Sequence, residues 1–91
     1  MFIHLGGNIV VAKKNIIAIM DLEACSHSVY TKNFLKMSEE DGFVIKISEE
    51  DEPKAFVLAE RKKKTIIYLT PISSMTLFKR AGFLDDISLI K

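Results

Sequence analysis

MFIHLGGNIVVAKKNIIAIMD, residues 1–21, is the stretch whose reading decides the fold. An apolar run opens at Phe2 and breaks at Gly6-Gly7-Asn8. It resumes as Ile9-Val10-Val11-Ala12, breaks again at Lys13-Lys14-Asn15, and ends as Ile16 to Met20. β-Branched residues suit a pleated strand, while Gly and Asn punctuate turns, so the stretch predicts three short strands with two tight links. Ile16-Ile17-Ala18-Ile19-Met20 is apolar at every position. Such a strand is expected to be covered on both faces, by helices on one and by another layer or another subunit on the other.

Working outward, Asp21 closes the third strand and residues 22–27 form a connector. Ser26 or Ser28 can cap a helix by accepting an amide of its first turn. Tyr30, Phe34 and Met37 recur at helical spacing, which predicts an apolar stripe against the sheet, and Gly42 fits the left-handed position that ends a helix. Residues 43–47 alternate as a fourth strand. Pro53 cannot donate to a ladder and is placed ahead of the fifth strand, residues 54–60. The basic turn Arg61 to Lys64 joins that strand to a sixth, residues 65–70, as an antiparallel hairpin. Pro71 ends it. Ser73 or Ser74 can cap a second helix, with Lys79 and Arg80 in a last turn where cations suit the helix dipole, and Gly82 stops it. The order is β-β-β-α-β-β-β-α. The class is α+β, with one largely antiparallel sheet and two helices.

Ninety-one residues are expected to form one domain, 1–91, ending in an apolar tail over 83–91 that includes Phe83, Leu84, Ile87, Leu89 and Ile90. The chain is 48% hydrophobic and 27% charged, which is too apolar for disorder. So small a unit buries a limited fraction of its surface, and self-association is an effective way to bury more. The net charge of +1 lacks the strong basic excess usual for nucleic-acid binding. The charges are nonetheless segregated. Glu49-Glu50-Asp51-Glu52 is a block of acids, and Arg61-Lys62-Lys63-Lys64 is a block of bases. Each can be a solvated turn. Together they can also form complementary rims on neighbouring copies, or a phosphate-facing patch.

Little in the chain points to catalysis. Cys25 is the single cysteine, so neither a disulfide framework nor a thiolate zinc site is expected. His27 is two residues from it in a polar connector, and His4 sits on an apolar strand, where a packed or interfacial role is expected. Leu5-Gly6-Gly7-Asn8 joins two strands, whereas a phosphate-binding loop leads from a strand into a helix. With no nucleophile–base order and no metal spacing, the chain reads as a non-enzyme without cofactor, metal or small-molecule substrate. No apolar run approaches the ~20 residues of a membrane span, and no signal-peptide pattern precedes Phe2, so a cytoplasmic location is expected.

Phe2-Ile3-His4-Leu5-Gly6, the basic turn before Ile16-Ile17-Ala18-Ile19, and Ser73-Ser74-Met75-Thr76-Leu77-Phe78-Lys79-Arg80 resemble, in order and spacing, the RemA/RemB family of bacterial extracellular-matrix regulators. The Ile-His-Leu-Gly opening and the Ser-Ser-x-Thr-Leu-x-Lys-Arg helix look more like the RemB branch. The resemblance runs from Phe2 to about Gly82. It implies a small α+β subunit that assembles into a ring-like homo-oligomer and, in the RemA branch, binds DNA to activate matrix operons. RemA-like proteins contact DNA through an arginine at the turn before the third strand and an arginine pair before the fifth. Here the first place reads Lys13-Lys14-Asn15, and a lysine offers phosphate a point charge without the fork of arginine. The second reads Glu50-Asp51-Glu52-Pro53-Lys54, where carboxylates repel phosphate and only Lys54 is basic. The resemblance therefore implies phosphate contacts by Lys13, Lys14 and Lys54; Lys62, Lys63 and Lys64 of the basic block are a second-choice patch that rests on charge alone. The rival reading is an oligomeric scaffold of the same pathway that does not bind DNA.

Overall fold

A computed structural model of the chain describes residues 1–25 and 27–82. The opening stretch folds as the sequence predicts. β1 (Phe2–Gly6) and β2 (Ile9–Ala12) form an antiparallel hairpin with His4 opposite Val10, and a 3-10 turn over Lys13–Asn15 leads into β3 (Ile16–Asp21). Gly6 is required at the hairpin: its φ is +115°, and a Cβ there would stand 3.2 Å from Ile47 Cγ2.

The remaining elements are α1 (Leu22–Cys25), α2 (Val29–Glu40), β4 (Val44–Lys46), β5 (Ala55–Arg61), β6 (Lys64–Thr70) and α3 (Ser74–Ala81). Strands β3, β5, β6 and β4 lie side by side in that order. The β3–β5 and β5–β6 pairs are antiparallel, and β4 runs parallel to β6. Residues alternate between the two sheet faces. Ile19, Ala55, Val57, Ala59 and Tyr68 share one face and pack with Ile3, Leu5 and Val11 of the hairpin and with Leu77 and Ala81 of α3. On the opposite face Phe56 and Ile67 are also buried, and α2 lies over them. One buried polar group ties the layers together. The Thr70 hydroxyl donates to the Leu5 carbonyl and accepts from the Ile72 amide.

The helix ends follow local rules. Ser28 Oγ accepts from the Thr31 amide at the start of α2, and Ser73 Oγ does the same for Thr76 in α3. Gly42 and Gly82 take left-handed φ values of +79° and +78° beyond the two helix ends.

Four features differ from the sequence reading. The strands divide into a two-stranded and a four-stranded sheet, because the first hairpin stacks on the larger sheet instead of extending it. A short helix, α1, fills the connector, its first amides held by Asp21 Oδ1, which accepts from Glu23 and Ala24 (2.9 and 3.2 Å). β3 is an edge strand, so in the single chain Ile17 stays 60% exposed and Met20 37% exposed rather than covered on both faces. The Tyr30–Phe34–Met37 stripe meets the sheet only in part: Phe34 lines cavities with Phe56, Leu58 and Ile67 of the sheet. Tyr30 is 88% exposed and Met37 63%, and the half-buried Thr31, Leu35 and Ser38 flank Phe34 on the inward side of α2. Tyr30 and Met37, the two ends of the stripe, are left open to solvent. The tail over 83–91 and Ser26 lie outside the described residues.

Candidate nucleic-acid interface

β5 decides which charges meet. Its C-terminal end turns into β6 at Lys62-Lys63, and its partner β3 begins beside that end, with Ile16 opposite Ala59. The 3-10 turn that carries Lys13 and Lys14 immediately precedes Ile16, so it lies at the same end of the sheet as Arg61 to Lys64. Asn15 and Arg61 line one shallow depression. α3 points its C-terminus the same way, and a Cβ on Gly82 would stand 3.8 Å from Lys13 Nζ. Lys79 and Arg80 occupy the last turn of α3, where Arg80 Nη1 donates to the His4 carbonyl (2.9 Å). Lys13, Lys14, Arg61, Lys62, Lys63, Lys64, Lys79 and Arg80 thus converge from three elements on one end of the molecule. Except for the half-buried Lys13, all of them are exposed.

Lys54 lies elsewhere. It precedes β5, its amide donates to the Thr70 carbonyl (2.8 Å), and its own carbonyl accepts from Leu22 (3.0 Å). Lys54 and Lys62 are eight residues apart along an extended strand, which separates them by about 26 Å at ~3.3 Å per residue. Asp21, Glu23 and Glu52 line the same cleft as Lys54, of about 520 Å³, together with Ser73 and Ser74 at the start of α3. Three carboxylates around one ammonium leave this end negative, and the exposed Glu49, Glu50 and Asp51 of the adjoining loop add to it. Ser48 organises that loop by accepting from the Asp51 amide (3.1 Å). The two places at which RemA-like proteins are expected to contact DNA therefore sit at opposite ends of a single chain.

The basic end has an acidic border. α2 ends at Glu39-Glu40-Asp41 and returns the chain towards β6, where Ser38 and Phe43 stand beside Lys64 and Thr65. The register puts Arg61 and Lys64 on the hairpin side of the sheet and Glu60 on the α2 side. The basic surface consequently faces the hairpin and α3.

The sequence reading left Arg61, Lys79 and Arg80 out of the site. The pair in α3 has a sufficient local explanation as the positive last turn of a helix, and only the direction of α3 reveals that this turn adjoins Lys13. His4, expected to be packed or interfacial, is exposed on the hairpin, and its Nε2 lies 2.7 Å from the Gly7 carbonyl. Cys25 ends α1 half-buried, and His27 is exposed in the turn that follows. Among the described residues, no three His, Cys, Asp or Glu side chains gather as a metal ion requires, and no helix is long and apolar enough to cross a membrane.

Residues 2–81 match the family described as RemA-like, extracellular matrix regulatory protein A-like. The chain belongs to this family. It is also 36% identical over 87 residues to extracellular matrix regulatory protein B of Bacillus subtilis strain 168, an alignment that covers 96% of this chain and 98% of the relative. That near-complete coverage places this RemA-like chain with the B branch and marks it as an extracellular matrix regulatory protein.

Proposed function

We propose that this RemA-like chain is a cytoplasmic, homo-oligomeric DNA-binding regulator of extracellular matrix genes, and that it meets DNA through phosphate contacts made by its basic end. The observation that carries the reading is the convergence of Lys13 and Lys14 with Lys62, Lys63 and Lys64 at one end of the sheet, joined by Arg61, Lys79 and Arg80. Lysines present charge without a base-reading fork, so attraction to the backbone is the interaction they supply best. The acidic loop weighs less against DNA than its sequence position implies. About 26 Å of strand separates it from Lys62, well beyond the ~10 Å over which charges are felt at 0.1 M salt. Lys54 belongs to that distant acidic end, so the contacts fall to the other five lysines. No enzymatic step, cofactor or small-molecule substrate is assigned.

Self-association is supported by the apolar surface that the single chain leaves open: Ile17 and Met20 on the edge strand, and Tyr30, Phe34 and Met37 on the flank of α2. Edge strands with uncharged side chains are ready templates for another chain. The same surface favours the second reading, an oligomeric scaffold that holds a protein partner and no DNA.

A shift assay with duplex DNA at several salt concentrations tests the choice. If each copy engages about four phosphates, log K falls with log salt at a slope near −3.6 per bound copy. A protein that forms its oligomer but ignores duplex DNA at 50 mM salt would instead support the scaffold.

A further inference from the structure

The β5–β6 hairpin closes with a two-residue turn, Lys62-Lys63, because the last ladder pair is Arg61 opposite Lys64. Both turn residues have left-handed backbones, with φ of +51° and +67°. Two-residue hairpins use this conformation because its twist matches that of the strands, and it normally falls to Asn-Gly or Asp-Gly, which adopt positive φ readily. A Cβ and a long side chain make the same backbone costly. Neither lysine has a packing role that would offset this, since both are exposed. Below the turn, β5 and β6 are the two central strands of the sheet, so the tip stands on its most firmly held part.

We infer that this turn keeps two lysines in an unfavourable conformation for their charge, and that Lys62 and Lys63 make the leading contact of the basic end with the phosphate backbone of a nucleic-acid duplex. The inference rests on the DNA-binding reading and deepens it. It moves the main contact from Lys14, the position the family resemblance favours, to a hairpin tip that the resemblance does not mark. A tip projecting from a rigid pair of strands reaches phosphates with little further ordering, which preserves affinity.

The test uses the full chain and a 20-base-pair duplex of arbitrary sequence. Lys62→Asn with Lys63→Gly relieves the turn and removes both charges. The melting temperature should rise by about 4–8 °C, while duplex affinity falls on the order of tenfold or more and the salt slope shrinks by about 2. Lys62→Gln with Lys63→Gln removes the charges and keeps the conformation. It should lose the same affinity without the thermal gain. If the Asn-Gly variant melts higher and binds as tightly as the natural protein, the inference fails and the DNA-binding reading survives. An unchanged melting temperature overturns the claim of a costly turn. If the natural protein ignores the duplex at 50 mM salt, both the reading and the inference fall.

Discussion

The two ends of the sheet are built from the same strands and carry opposite charge. At the basic end the connections are tight: a 3-10 turn over Lys13–Asn15 and a two-residue turn at Lys62-Lys63. At the acidic end the chain makes a long excursion from β4 to β5 through Glu49 to Pro53 and then starts α3 beside it. Tight turns fix where a charge stands, which suits recognition of a regular phosphate array. A longer loop keeps charge in water with less definition. The difference teaches that a net charge of +1 describes neither end: bases gather at one pole, bordered by the acids that end α2, while carboxylates outnumber Lys54 at the other.

Leu77→Ala should have the largest effect, because Leu77 is fully buried beneath α3, which runs from the acidic cleft towards Lys13. A loss of about 2–5 kcal/mol is expected from denaturant titration, with binding surface and acidic cleft loosened together. Next comes the combined change Lys14→Glu, Lys62→Glu and Lys63→Glu. Each step removes an attraction and adds a repulsion, so duplex affinity should fall at least on the order of 100-fold. The circular-dichroism melt should move little, since exposed charges away from structural contacts rarely matter to stability. Thr70→Val deprives the Leu5 carbonyl and the Ile72 amide of their buried partner. Stability should drop by about 1–3 kcal/mol, and amide exchange should quicken around Leu5 first.

The smallest effect is expected at the other pole. Asp51→Arg with Glu52→Arg should change duplex affinity by less than about threefold, because the site is farther from Lys62 than a Debye length of ~10 Å. A tenfold gain would show that neighbouring copies bring one pole against the other, and it would sharpen the geometry of the oligomer.

Much of the fold was legible because its signals are local. The breaks at Gly6-Gly7-Asn8 and Lys13-Lys14-Asn15 mark β1 to β3, and Ser28, Ser73 and Gly82 mark helix ends. Less local features were hidden. α1 is one turn long, too short to leave a periodic pattern, and its only cue is Asp21 holding two amides. The apolar stripe of α2 pointed correctly to Phe34 against the sheet, but it could not reveal that Tyr30 and Met37 stay open to solvent. The candidate site was half legible. The lysine blocks stand out in the sequence, but which of them meet depends on strand direction. Lys54 falls away from the others for that reason, and Lys79 and Arg80 join them.

The most direct test compares the poles one lysine at a time: the salt dependence of duplex affinity for the natural chain, Lys14→Gln and Lys54→Gln. Losing one phosphate contact should reduce the slope of log K against log salt by about 0.9. The structure predicts that reduction for Lys14→Gln and an unchanged slope for Lys54→Gln. Equal reductions in both variants, or a reduction in Lys54→Gln alone, would contradict the assignment of DNA binding to the basic end.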